Sequence, residues 1–163
     1  MMKKKPPYLP ALAAVMGAVA GLRSMTAPAA IAWAAKRKAI RLGSSPLVEI
    51  ISAKLSDQAI RLALAELVAD KLPFRRDRIE PGPLATRIVS GAACGAVLSG
   101  AADRPLAEGA ILGGLGALMG AFGSYHVRRR LSREMPELTV ALVEDALAIA
   151  AAAAIVAYAS ESL

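Results

Sequence analysis

Residues 109–123 read Gly-Ala-Ile-Leu-Gly-Gly-Leu-Gly-Ala-Leu-Met-Gly-Ala-Phe-Gly, and the rest of the chain is best understood outward from this segment. At 3.6 residues per turn, five of its glycines fall within about a quarter of the helical circumference. In water each glycine costs a helix about 1 kcal/mol relative to alanine. In a bilayer, small residues let helix backbones approach closely. The segment therefore predicts a membrane helix packed through Gly109, Gly113, Gly116, Gly120 and Gly123.

The composition also indicates a membrane protein. Of the 163 residues, 56% are hydrophobic and 4% aromatic, and the mean hydropathy is +0.48. A soluble domain of this size has more polar residues. The net charge of +7 comes from short basic clusters at the ends of apolar segments, which is typical of cytoplasmic loops and anionic lipid headgroups. We therefore expect membrane lipids as partners, with headgroups at Arg128, Arg129 and Arg130, and no nucleic acid.

Apolar segments separated by charged or proline-containing turns predict an all-α, polytopic membrane helix bundle. Residues 1–163 form one membrane domain with a basic tail at 1–8 and helices at about 9–35, 47–72, 84–102, 106–127 and 136–160. Small residues four positions apart, Gly17 with Gly21 and Gly91 with Gly95, extend the glycine packing to the first and third helices. Because these faces exceed what a single contact uses, we expect a homo-oligomer.

The first apolar segment carries one charge, Arg23, and a proline five residues later. Pro28 predicts a break or kink between Arg23 and Thr26, because proline removes a backbone donor and disfavours helix in the residue before it. On an unbroken helix Arg23 would point with Met16 and Val19, away from the glycines, and would snorkel to the interface. A basic start before an apolar run also fits a secretory signal.

Carboxylates occur inside or beside two of the apolar segments. Charged groups at membrane depth are costly, so they are usually paired, buried in protein or in contact with water, and they are often functional. We predict that these carboxylates converge with nearby basic and polar groups in a polar centre of the bundle, as a binding site or ion pathway. The predicted set is Arg23, Ser24, Glu66, Asp70, Lys71, Glu144 and Asp145.

This set favours a small transporter or channel for a cation, a proton or a small polar solute, because carboxylates whose proton affinity is tuned by burial and by basic neighbours can exchange protons. One alternative is a structural or accessory subunit in which the charges form an ion-pair network. A third is a membrane enzyme acting on lipid-linked substrates, with Mg²⁺ held by paired carboxylates. With Cys94 and His126 as the only cysteine and histidine, one chain forms no zinc set or Cys/His catalytic pair, so no cofactor or catalytic residue is predicted.

A weak internal repeat relates the two halves of the chain. Residues 17–21, Gly-Ala-Val-Ala-Gly, resemble residues 116–120, Gly-Ala-Leu-Met-Gly, although short Gly/Ala-rich matches also arise by chance. In a five-span arrangement, helices 1–2 and 4–5 would form an inverted repeat around helix 3, a recurrent plan in transporters. Basic residues before helix 1 and after helices 2 and 4 outnumber those in the other loops, which predicts a cytoplasmic N-terminus and an external C-terminus.

Three segments carry a resemblance to a known family. They are residues 21–28, Gly-Leu-Arg-Ser-Met-Thr-Ala-Pro; residues 66–73, Glu-Leu-Val-Ala-Asp-Lys-Leu-Pro; and Glu144-Asp145 followed by Ala-Leu-Ala-Ile. Over nearly its whole length the chain resembles the bacterial membrane proteins of domain of unknown function family 4126. The resemblance implies a small multi-span protein without an assigned activity, and it supplies no catalytic residues. The cytoplasmic (inner) membrane of a bacterium is the expected location.

Overall fold

The computed structural model describes residues 8–37, 58, 61–65 and 80–162, and all regular structure in these residues is α-helical. The all-α prediction is therefore confirmed. Most of the predicted second helix, 47–72, lies outside the described residues, which include a short helical stretch at 61–65. The other described helices are α1 (Leu9–Leu22), α2 (Thr26–Lys36), α3 (Pro81–Ala101), α4 (Leu106–Leu131) and α5 (Glu137–Ser162).

Three of these helices are long and apolar enough to cross a membrane. They are α3 with 21 residues, α4 with 26, and the 25 residues of α5 between Glu137 and Glu161. These lengths meet the roughly 20 residues that a hydrocarbon layer of about 30 Å requires. Within the described residues, α1 is also apolar but shorter. The helices thus fit a membrane-embedded protein, as the composition indicates.

The segment predicted as one helix over residues 9–35 is two helices separated by a break. α1 ends at Leu22, Arg23 has an extended backbone with φ −142° and ψ 114°, and α2 begins at Thr26. The break lies where Pro28 predicted it. Pro28 itself lies in the first turn of α2, where its missing N–H would have had no partner within the helix.

α1, α3 and α4 meet along their glycines. A methyl group placed on Gly17 would overlap the carbonyl of Gly113, and one placed on Gly91 would lie 2.6 Å from the same oxygen. The helix backbones therefore touch directly, with no side chain between them. These contacts involve Gly17, Gly21, Gly91, Gly95, Gly109, Gly113, Gly116 and Gly120, which we call the glycine junction.

The order of contacts in the glycine junction gives the helix directions. Successive glycines of α4 meet those of α3 in reverse order, so α3 and α4 are antiparallel. The contact of Gly17 is Gly113 and that of Gly21 is Ala117, so α1 and α4 run parallel. An inverted repeat of helices 1–2 and 4–5 requires helices 1 and 4 to run in opposite directions, and α1 and α4 do not. The prediction treated residues 9–35 as one helix, and the break after Leu22 divides them into α1 and α2.

The start of α1 and the end of α5 lie together at one end of the bundle. The rings of Tyr8, before α1, and Tyr158, near the end of α5, have centroids 5.0 Å apart. At the other end of α1, Arg23 contacts Asp145 in the first half of α5. α1 and α5 are therefore antiparallel, which corrects the prediction that the chain starts and finishes on opposite sides of the bundle.

Gly123 lies outside the glycine junction, although its spacing placed it on the same stripe. No atom of the described part of the chain lies within 4 Å of a methyl group placed there. The reason is that α1, which packs beside α4, ends at Leu22, and Gly21 already contacts residues 117–121. The other eight predicted glycines are used within one chain. We expected a homo-oligomer because the glycine faces were predicted to exceed the contacts within one chain, but these eight glycines are already in contact. Self-association stays a prediction.

A hydrophobic core lies on another face of α1 and joins it to α2, α3 and α5. Met16 and Val19 of α1 are buried there with Ile31, Leu98 and Ile155. Arg23 follows Val19 by four residues, so the chain leaves α1 on this core-facing side. Arg23 is fully buried on this side. Snorkelling was expected only for an unbroken helix, and the helix breaks at Arg23.

Candidate functional site: a buried ion-pair cluster

Five charged side chains are buried where α1 and α4 end and where α3 and α5 begin. Their exposed fractions are 0% for Arg23, 5% for Arg87, 8% for Arg128, 8% for Glu144 and 7% for Asp145. We call these five residues the ion-pair cluster. Burying a charge is costly unless it is paired and hydrogen-bonded, so each contact in the cluster has to be accounted for.

Arg23 is positioned by the break between α1 and α2. Its extended backbone directs the side chain across to α5, where Nη2 donates to Oδ1 of Asp145. The backbone N–H of Arg23 still donates to the carbonyl of Val19, at 2.9 Å, so the residue also closes the last turn of α1. A single residue therefore ends one helix and bonds to another.

Arg128, in the last turn of α4, joins α4 to the beginning of α5. Its Nη1 lies 3.3 Å from Oε2 of Glu144, and its Nη2 lies 3.4 Å from Oε1 of Glu137. The Glu137 side chain is 67% exposed, whereas that of Glu144 is 10% exposed. The contact with Glu144 is thus a buried bridge between two helices that follow each other in the chain, and the contact with Glu137 lies at the edge.

Arg87, in the second turn of α3, caps the C-terminal end of α1. Its Nη1 donates to the carbonyl oxygens of Gly21 and Leu22, the second at 3.0 Å. The last carbonyls of a helix have no partner within the helix and carry its negative dipole end, so a cation is favourable there. Beside it, the hydroxyl of Ser90 donates to the carbonyl of Ser24. α3 therefore satisfies the backbone of the α1–α2 break.

The cluster lies toward one end of the bundle rather than at its centre. Asp145 is eight residues into α5 and Arg87 is six residues into α3, or about 12 Å and 9 Å along the axes at 1.5 Å per residue. Its three arginines are balanced by its two buried carboxylates together with the exposed Glu137. The charged residues were predicted to meet at the centre of the bundle, and the described ones meet near one of its ends.

Of the predicted site residues, the structure brings Arg23, Ser24, Glu144 and Asp145 together. Ser24 contributes its backbone carbonyl. Glu66, Asp70 and Lys71 lie outside the described residues. Within the described residues, no group of three His, Cys, Asp or Glu side chains is close enough to hold a metal ion.

Two arginines of the cluster were not predicted as site residues. Arg87 precedes Gly91 by four residues and thus shares the face that enters the glycine junction, a signal that could have located it. Arg128 was expected at lipid headgroups, but it is buried because Glu144 draws it inward. Arg129 and Arg130 are exposed, as a headgroup contact requires.

No protein-family model, no curated protein and no solved structure matches this chain. The resemblance to family 4126 therefore stays a prediction, and the functional argument depends on the site alone.

Proposed function

We propose that this protein is a small membrane transporter or channel for a proton, a cation or a small polar solute, with Glu144 and Asp145 as the groups that change charge state. The observation that carries the proposal is the buried contact of Arg23 with Asp145. Ionisable groups held inside a membrane bundle are functional candidates by default because their burial is costly. A network made only for packing could use apolar residues instead.

The broken first segment supports the same proposal. Discontinuous helices in membrane proteins place unwound backbone and helix ends beside a polar site, which is where transporters bind substrates and coupling ions. Here the unwound residues 23–25 lie against the ion-pair cluster. In this mechanism, protonation of Asp145 removes its attraction for Arg23 and frees the guanidinium to move.

Flux measurements in proteoliposomes test the proposal. Vesicles containing the parent protein are expected to dissipate an imposed proton or cation gradient faster than protein-free vesicles. Asp145→Asn and Glu144→Gln are expected to remove this flux, whereas Glu161→Gln, an exposed acid near the end of the same helix, leaves it unchanged. Parent vesicles no leakier than empty ones, or an Asp145→Asn variant equal to the parent, would contradict it.

A second candidate is a structural ion-pair network in an accessory subunit. One observation favours it: each buried carboxylate already contacts an arginine, Asp145 with Arg23 and Glu144 with Arg128. The double substitution Arg23→Met with Asp145→Leu separates the two candidates. A folded double variant that has lost flux supports transport, and a folded double variant with parental behaviour in every assay supports the structural network.

We also propose that the protein resides in the cytoplasmic membrane of a bacterium, as the family resemblance implies, with the glycine junction as its packing core. The N-terminus is proposed to be cytoplasmic. Because α1 and α5 are antiparallel, the end of α5 is then cytoplasmic too.

A further inference from the structure

A groove lies between α2, α5 and the helical stretch at 61–65, outside the ion-pair cluster. It encloses about 640 Å³, within the range of roughly 300–1,000 Å³ that is typical of small-molecule sites. Its walls are almost wholly apolar. They include Ile149, Ala153, Val156 and Ala157 of α5 and Ala63 and Leu64 of the stretch at 61–65. Trp33 of α2 contributes its ring, which is 45% exposed.

The end of the groove nearest the C-terminus of α2 is basic. Lys36 and Arg37 directly follow the turn that carries Trp33, and both are exposed. The guanidinium of Arg37 lies over the Trp33 ring, with Cζ 4.6 Å from the ring centroid. A guanidinium stacked in this way presents the N–H donors of its edge in a plane suited to a phosphate.

We propose that this groove binds one anionic phospholipid, with an acyl chain along α5 and the phosphate at Lys36 and Arg37. The charge pattern selects this occupant. An apolar groove that ends at two cations matches an amphiphile with one anionic end. An apolar transmembrane helix of a second copy would offer the two cations no anionic group. Basic residues near a membrane surface each favour anionic lipid by about 1 kcal/mol.

The site is separate from the transport proposal, because none of the residues that line it belongs to the ion-pair cluster. Lipid binding at this site can therefore be tested without measuring transport. Trp33 is the only tryptophan of the chain, so tryptophan fluorescence reports on lipid beside this one ring, which lines the groove. Bromine atoms on a lipid acyl chain quench tryptophan fluorescence only at close range.

The experiment reconstitutes the full chain in phosphatidylcholine vesicles that contain an equal, small fraction of brominated phosphatidylglycerol or of brominated phosphatidylcholine. We expect the anionic lipid to associate with the groove beside Trp33 more strongly, with a relative association constant higher by roughly tenfold. This corresponds to about 1.4 kcal/mol, which is less than two cations can supply together at roughly 1 kcal/mol each. Substituting both Lys36→Gln and Arg37→Gln brings this ratio to about one.

A matched pair of variants tests the groove itself. Ala153→Leu fills the groove and is expected to lower quenching by the anionic lipid, whereas Ala93→Leu, on an exposed position of α3, leaves it unchanged. Equal quenching of the parent by the two brominated lipids overturns the proposal, as does an Ala153→Leu variant that is quenched like the parent. Both results apply to folded protein, verified by unchanged helical circular dichroism.

Discussion

Arg23 and Asp145 are 122 residues apart in the sequence and form a buried hydrogen-bonded ion pair between the α1–α2 break and α5. Their side chains are 1% and 9% exposed, so the protein shields both from solvent almost completely. The pair joins the end of α1, where the first segment breaks, to α5. It is therefore where removal of one charge should have the largest effect.

Removing one member of this pair should destabilise the protein far more than removing both. Arg23→Met or Asp145→Asn alone leaves a buried charge without compensation, which costs about 3–5 kcal/mol. The double variant Arg23→Met with Asp145→Leu should be close to the parent or more stable, since apolar replacements of buried pairs are often neutral or stabilising. Unfolding of purified protein in mild detergent measures all three.

The exposed pair of Arg104 and Glu108 provides the control. Its atoms are 3.0 Å apart, and the side chains are 28% and 40% exposed. Arg104→Gln should cost less than about 1 kcal/mol, because exposed pairs gain little in water and are screened by salt. If Arg104→Gln proves as damaging as Arg23→Met, burial is not the source of the effect.

Arg87 is expected to be required for the α1–α2 break rather than for charge balance. Arg87→Leu removes the donors from the carbonyls of Gly21 and Leu22 and should cost roughly 1.5–3 kcal/mol, the range for hydrogen bonds to charged groups. Thr86→Ala, which removes an exposed hydroxyl bonded to the carbonyl of Gly82 at 3.1 Å, is the neighbouring control. Amide hydrogen exchange should show faster exchange at residues 19–25 in Arg87→Leu alone.

Glycines on the same stripe of α4 should respond in opposite ways to substitution. Gly113→Ala places a methyl group against the carbonyl of Gly91, and overpacking of this kind costs about 1–3 kcal/mol. Gly123→Ala meets no described residue within 4 Å and should be neutral or stabilising, by up to about 1 kcal/mol from helix propensity. Thermal unfolding of the two variants checks the difference, and equal destabilisation would be inconsistent with the packing described above.

Reporters attached before Tyr8 and after α5 should lie in the same compartment. The contact of Tyr8 with Tyr158 places the start of α1 beside the end of α5. Chain segments that leave the bundle at these two points therefore emerge on the same side of the membrane. Paired fusions whose activity depends on the compartment measure this directly. Opposite signals from the two fusions would rule out the antiparallel arrangement of α1 and α5.

Several features of the fold were predictable because they depend on local sequence. Pro28 located the break to within a few residues, since proline constrains its own backbone and that of its neighbour. The glycine spacing on α4 identified the contact face, apart from Gly123. That exception depends on where α1 stops, which is a property of another helix.

The charge contacts were only partly predictable. Arg23 and Asp145 were expected in one cluster, but Arg128 was expected at lipid headgroups and Arg87 was not considered. Helical periodicity indicates which face of a helix a residue occupies. It does not indicate which helix lies opposite, so the partners of Arg87 and Arg128 depended on contacts made far along the chain.

By itself, the sequence determined that the chain is helical, that its apolar segments suit a membrane, that the first segment breaks near Arg23, and that glycines form the contact faces. Tertiary structure alone decided the directions of the helices and the pairing of charges. The physical reason is that a glycine face lacks side chains that distinguish a parallel from an antiparallel neighbour. Residues 17–21 and 116–120 could therefore suggest an inverted repeat, although α1 and α4 pack in parallel.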